Sequence, residues 1–273
     1  VFNHFDRIRE IFKQRGLLFR LVIKELKVRY KYPFLGFLWA FIVPLSAILT
    51  FFFIFSYVIK VPHPGYPFFI FLASAVFPWN YFGFSVTTST MSLLDSGNLI
   101  KKVYFPRELI PISIVILQLV LFVFSLLLMI IFLLLFGLKL RPLILALPLV
   151  ILLQTIFLCG VSLIVSALQA RYRDVKYIVE ITLPVWFYLT PVFYPLELIG
   201  NLSPLFLKIY MLNPLTQLIT FYRIVLIDGY GRSLPVQISI PGIILTNIVI
   251  CLAVFWLGLA IFKRQESRFT DMI

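Results

Sequence analysis

The feature that most constrains this chain is a series of apolar runs, each about the length of a membrane-crossing helix, separated by short segments that carry most of the basic residues. A helix needs about 20 consecutive apolar residues to cross the hydrocarbon core of a bilayer. Runs of this kind cover Leu35 to Ile59, Pro67 to Leu94, Leu109 to Phe136, Pro142 to Leu168 and Ile243 to Phe262. A further run begins near Tyr177 and weakens at Pro191. The composition agrees, with 62% hydrophobic and 13% charged residues and a mean hydropathy of +1.04. A soluble domain is nearer a quarter charged, and a water-soluble fold of 273 residues could not cover this much apolar surface. The expected fold is an all-α integral membrane protein with six transmembrane helices. An N-terminal amphipathic interface helix and a re-entrant helix pair between spans five and six complete it.

The chain divides into a segment 1–34, expected to be cytoplasmic and amphipathic, and a transmembrane domain 35–273. In the first segment Phe5, Ile8 and Phe12 recur at helical spacing among Arg7, Arg9, Lys13 and Arg15. Leu17, Leu18, Leu21 and Val22 continue the pattern beside Arg20, Lys24 and Lys27. A basic amphipathic stretch of this kind lies along an anionic membrane surface. The first 34 residues hold nine Lys and Arg and no uninterrupted apolar core, so no secretory signal is expected in them. About 50 residues between the fifth and sixth spans hold two shorter apolar pieces, near Leu196 to Leu212 and Leu215 to Ile227, punctuated by Pro191, Pro195, Pro204 and Pro214. Short broken helices survive at membrane depth only where protein buries them or water lines them. Six crossings place eighteen of the 24 Lys and Arg on the side of the two termini, which predicts cytoplasmic termini.

Several chemistries are excluded. The basic residues sit beside spans rather than in a nucleic-acid-binding stripe, so the net charge of +13 reads as topology. No G-x-x-x-x-G-K-[ST] occurs, so the chain carries no P-loop. His4 and His63 are isolated, Cys159 and Cys251 lie inside apolar runs, and neither pair has metal-ligand spacing. Glu180 is the one acid near a span. An ion-coupled carrier needs ionisable groups at mid-depth, so energy is expected from elsewhere.

Four segments carry more information. Arg29 to Trp39, leading to Pro44, combines basic residues with Tyr30, Tyr32 and Trp39 as an interface anchor, and Gly36 is expected to permit close helix contact. Asn98 to Glu108 forms a short amphipathic connection in which Pro106 opens the next helix. Ala170 to Val175 alternates charges, and Leu189 to Pro195, with Asn213-Pro214 further on, opens the broken region. Read in order as R-Y-x-x-x-x-L-G-x-x-W-x-x-x-x-P, K-K-x-Y-F-P-R-E, R-x-R-D, T-P-x-x-Y-P and N-P, these resemble the ABC-2 type permease family, in its O-antigen, capsule and teichoic-acid exporter branch.

The resemblance implies a homodimer in the bacterial inner membrane, each permease paired with an ATP-binding cassette subunit. It implies no cofactor on this chain, ATP and Mg being held by the partner. It makes Asn98, Lys101, Lys102, Tyr104, Phe105, Arg107 and Glu108 the ATPase-coupling segment, with Arg171, Arg173 and Asp174 in the second cytoplasmic loop. The substrate becomes a lipid-linked polysaccharide, for which aromatic faces suit sliding sugar rings. The candidate path residues are Phe77, Trp79, Tyr81, Phe82 and Ser85 on the second span, and Trp186, Tyr188, Phe193 and Tyr194 at the fifth. Thr87, Thr88 and Ser89 extend the first set. The same fold would serve a permease for teichoic acid, a lipid or a drug. A membrane glycosyltransferase would call for a D-x-D pair at the membrane face, and none is present.

Overall fold

The computed structural model describes residues 13–29, 36–58, 67–135, 142–235, 239–266 and 269. Phe5, Ile8, Phe12, Tyr30, Tyr32 and both histidines lie outside the described residues. The described chain is helical throughout, with no strand. In hydrocarbon each backbone amide must find its partner within the chain, and a helix achieves this within one segment.

Helix α1 spans Arg15–Arg29 and α2 spans Trp39–Phe53, extended by a π-helical turn at Ile54–Val58. Next come α3, Phe68–Asp95, the short α4, Gly97–Lys102, and α5, Leu109–Leu135. A 3-10 turn at Pro142–Ala146 leads into α6, Leu147–Arg171. Helix α7 covers Val175–Tyr188, α8 Leu196–Leu202, α9 Pro204–Tyr210 and α10 Pro214–Leu226. The single turn α11, Tyr230–Ser233, precedes α12, Ile240–Glu266.

Among the described residues, five segments are long and apolar enough to cross a membrane: Trp39–Val58, Phe68–Asp95, Leu109–Ile131, Pro142–Arg171 and Ile240–Glu266. The sequence reading expects a sixth from Tyr177. The helix there has 14 residues, or roughly 21 Å of rise against about 30 Å of hydrocarbon. Leu189 to Pro195 then turns the chain before α8 begins.

Helix α3 is the centre of the bundle and packs against α2, α5, α6, α7 and α10. Most of its hydroxyl residues point inward, with Ser74, Ser85, Ser89, Thr90 and Ser92 all buried, whereas the large side chains Leu49 and Phe53 of α2 face outward. Lipid accepts apolar side chains, so small polar residues mark helix–helix contacts instead.

The tightest helix pair is α6 with α12. A Cβ on Gly160 would fall 2.6 Å from the Val254 carbonyl oxygen, and one on Gly258 would collide with the Gly160 carbonyl. The two backbones therefore touch. Gly36 plays another part from the helix contact expected of it. Its φ of +47° is the left-handed conformation glycine adopts freely, and no described residue lies within 4 Å of where its Cβ would be.

An apolar cluster ties one end of the bundle together. Leu21 of α1, Leu93 of α3, Ile100, Phe105, Leu109 and Ile110, Leu163 and Ala167 of α6, and Leu259 and Phe262 of α12 meet there. Leu17 and Leu18 pack against it, so the apolar residues expected to define one face of α1 turn toward the bundle. Arg20, Lys24 and Lys27 are exposed, as are Phe19 and Val28.

Candidate functional site: the two ends of the bundle

At the basic end, α3 stops at Asp95 and the chain turns through Ser96 into α4. Ile100 and Phe105 reach into the apolar cluster and anchor the connection from both sides. Asn98, Lys101 and Lys102 are left exposed. Tyr104, between the two anchors, is 98% exposed. The predicted coupling set is thus split. Asn98, Lys101, Lys102 and Tyr104 form an outward surface, while Phe105 and Glu108 are buried beneath it. Arg107 is partly buried and donates from Nη1 to the backbone carbonyl of Glu266 at 2.9 Å, fastening this surface to the end of α12.

The second loop lies at the same end. Arg171, Tyr172, Arg173 and Asp174 are all exposed. Their conformation is set by Gln169, a buried residue absent from the sequence-based candidates. Its Nε2 donates to the Arg173 carbonyl at 2.9 Å, and its Oε1 accepts from the Lys176 amide at 2.8 Å. A side-chain amide can satisfy a donor and an acceptor of one loop together, which a charged residue cannot.

The candidate path residues separate in a different way. Phe77, Trp79, Tyr81, Phe82 and Ser85 are buried inside the protomer. The rings of Trp79 and Phe187 are 5.2 Å apart, and those of Phe82 and Trp186 are 5.0 Å apart, which seats α7 on α3 through edge-to-face contacts. Tyr81 turns to the opposite side of α3, where it stacks on Phe122 at 4.9 Å and shares a 3.1 Å hydrogen bond with Thr155. Ser89 is buried as well, while Thr87 and Thr88 are exposed. Tyr188 is 61% exposed, and Phe193 and Tyr194 are partly buried beside it. On α7 only Val179 is fully buried, and Tyr177, Ile178, Ile181 and Val185 face outward together with Glu180.

The opposite end is held by hydrogen bonds. Asn213 caps α10, its Oδ1 accepting from the Leu215 amide at 3.0 Å, with Pro214 in the first turn. The same Oδ1 accepts from the Trp186 indole at 3.1 Å, and its Nδ2 donates to Thr190 Oγ1 at 3.0 Å. One side chain thereby joins α7, the Thr190-Pro191 turn and α10. Tyr194 donates to the Tyr188 carbonyl at 2.9 Å, and its hydroxyl also meets that of Tyr210 in a short hydrogen bond. Asn247 of α12 donates to the Pro214 carbonyl at 3.2 Å.

Arg223 of α10 is fully buried at this end. Its Nη2 donates to the Val192 carbonyl at 2.7 Å, and its guanidinium lies 3.6 Å from the centre of the Phe71 ring. It therefore fixes the proline-rich turn to both α10 and α3. The charge count treats Arg223 as one of the cations on the sparsely basic side. The missed signal is its position inside an apolar helix, where an ionisable residue is costly and retained for a purpose.

This arrangement is a helical membrane bundle with an exposed tyrosine on an anchored basic end and a hydrogen-bonded module of short helices at the other. The ABC-2 type transporter family matches residues 16–227, a stretch that takes in both ends. The chain belongs to the ABC-2 type transporter family. An O-antigen export system permease of Myxococcus xanthus is 34% identical over 266 residues, covering 97% of this chain and 98% of that protein. Two permeases of the same description from Klebsiella pneumoniae are 33% and 34% identical, each covering 94% of this chain and 96% of the relative. In this ABC-2 chain the motifs at 101–108, 171–174, 190–195 and 213–214 fall at the two ends just described, while the motif at 29–44 lies partly outside the described residues.

Proposed function

We propose that this chain is the permease subunit of an ATP-driven exporter that moves a lipid-linked, O-antigen-like polysaccharide from cytoplasm to periplasm. It is a transport subunit and not an enzyme. The observation that carries the reading is Tyr104, an aromatic side chain held almost wholly in the open on a connection anchored by Ile100 and Phe105. An isolated protein gains nothing from leaving a tyrosine in the open between two buried anchors, whereas a partner with a matching cleft does. With Lys101 and Lys102 beside it, the surface suits the ATP-binding cassette subunit that supplies the absent P-loop and holds ATP and Mg. Arg171, Arg173 and Asp174 form a second contact at the same end.

In this reading the basic end is cytoplasmic, the termini lie on that side of the inner membrane, and residues 1–34 form an interfacial segment. Two permeases pair with two ATPases. The wide exposure of α7, a helix short of a full crossing, supports a role facing a second permease and the polymer path rather than lipid. Tyr188, Phe193 and Tyr194 are then the aromatic candidates for that path, and the fully buried members Phe77 and Phe82 support the helices behind it. Helices α8, α9 and α10 form a re-entrant module that gates the periplasmic mouth.

Deleting the gene tests the substrate. The expected result is loss of surface polysaccharide with lipid-linked polymer accumulating inside the cell, restored by the wild-type chain. Normal surface polymer in the deletion strain would refute the reading, and accumulation of teichoic acid or another lipid would move the chain to another branch of the family.

A further inference from the structure

A cavity of about 330 Å³ lies between α2, α3 and α5, on the side of α3 away from α7. The face of α3 that meets α7 carries Trp79 and Phe82, while the cavity is lined by Phe77, Asn80, Tyr81 and Phe84. Helical spacing puts these two sets on opposite faces. Gln118, Phe122 and Ser125 of α5 and Trp39, Ala40 and Val43 of α2 also line it. Trp39, Val43 and Phe84 are its partly open rim.

The polar groups of the wall are unequally satisfied. Tyr81 is paired with Thr155, and Ser125 donates to the Leu121 carbonyl at 3.0 Å. Gln118 is 3% exposed, and its Nε2 has no hydrogen-bond partner among the described residues. A buried amide donor without a partner costs about 1–3 kcal/mol in a protein interior and more in hydrocarbon, so an occupant with an acceptor is favoured. Water alone fits poorly, because each molecule needs two to four polar partners and takes about 30 Å³, and seven of the twelve lining residues have wholly apolar side chains. No Lys, Arg, Asp or Glu lines the cavity among the described residues, which disfavours a charged headgroup. The rim residues Trp39 and Val43 belong to α2 and Phe84 to α3, both segments long and apolar enough to cross a membrane, so the opening is on a surface that lipid chains can reach.

We propose that this cavity is a binding site for a membrane glycerolipid. An acyl chain packs against Phe77, Phe84 and Phe122, and an ester carbonyl accepts from Gln118 Nε2. The lipid would wedge α2 against the α3–α5 pair. The site lies on the side of α3 away from α7, beside which the proposed path is drawn, and stands whether or not the substrate is a polysaccharide.

The test is native mass spectrometry of the full-length chain with its ATPase partner, released from nanodiscs of phosphatidylethanolamine and phosphatidylglycerol. Wild type is expected to retain a phospholipid that washes off freely from elsewhere. Gln118→Leu should lower retention about fivefold, the loss of roughly one hydrogen bond. Ala40→Phe, which fills the cavity, should abolish it, and Val120→Phe on the outer face of α5 should change nothing. Photo-crosslinking from p-benzoylphenylalanine in place of Val43 decides the same question if Ala40→Phe fails to fold, and is expected to yield a lipid adduct. No retained lipid in wild type, equal retention in Ala40→Phe, undiminished retention in Gln118→Leu, or a crosslink to a second copy of this chain would each overturn the proposal.

Discussion

The two ends of the bundle are built on different principles. The basic end is held by apolar packing, with Leu93, Phe105, Leu109, Leu259 and Phe262 in one cluster and the charged residues projecting from it. The other end is held by a few directional bonds through Asn213, Arg223 and Tyr194. Packing contacts are many and individually weak, so such a cluster yields gradually and presents a stiff platform. Hydrogen bonds in low dielectric are few and strong, so the module they hold moves as one body or comes apart at a named bond. A stiff end suits force transmission from a partner, and a bond-latched end suits a gate.

The contrast can be broken at either end. Phe105→Ala is expected to cost about 4 kcal/mol through loss of its packing, with faster amide exchange in residues 93–110 and little change in 186–230. Exchange that rises equally at both ends would show the platform and the module to be one unit. Arg223→Met should cost about 3 kcal/mol, by stranding the Val192 carbonyl and removing the cation over Phe71, with the reverse pattern of exchange. Asn213→Ala removes a cap and two ties between helices. It should cost about 2 kcal/mol and quench-shift the emission of Trp186, a change that loss of a cap alone would not give. Tyr104→Ala should alter stability by less than about 0.5 kcal/mol while uncoupling ATPase stimulation from export. Unimpaired export by this variant would remove Tyr104 from the coupling surface.

Much of this was legible in the sequence, and the misses share a cause. The five long spans stand out because their length is set by the bilayer. The outward surface around Lys101 and Tyr104 was also visible, since its residues stand at a membrane boundary. Which aromatic faces where was not. In water a helix shows a polar face and an apolar one, but in lipid Phe53, which is exposed, and Phe82, which is buried, look alike. Phe105 was grouped with Tyr104 for the same reason, though one is an anchor and the other is presented. The helix at the expected sixth crossing is shorter than a full span, since the turn with Pro191 and Pro195 follows it where composition alone extends the apolar run. Gln169, Asn213 and Arg223 carried the usable signal, being polar residues within or beside apolar helices.

The touching backbones of α6 and α12 bear on the order in which the protein is made. Gly160 emerges from the ribosome about 100 residues before Gly258. At about 5–20 residues per second, the notch in α6 waits roughly 5–20 seconds with lipid or a chaperone against it before its own partner arrives. Helix α10 waits too, because Asn247 of α12 supplies the bond to its first turn. The last span is therefore the closing stitch of the nascent chain, and a ribosome that stalls before Ile240 leaves a protein with both seams open.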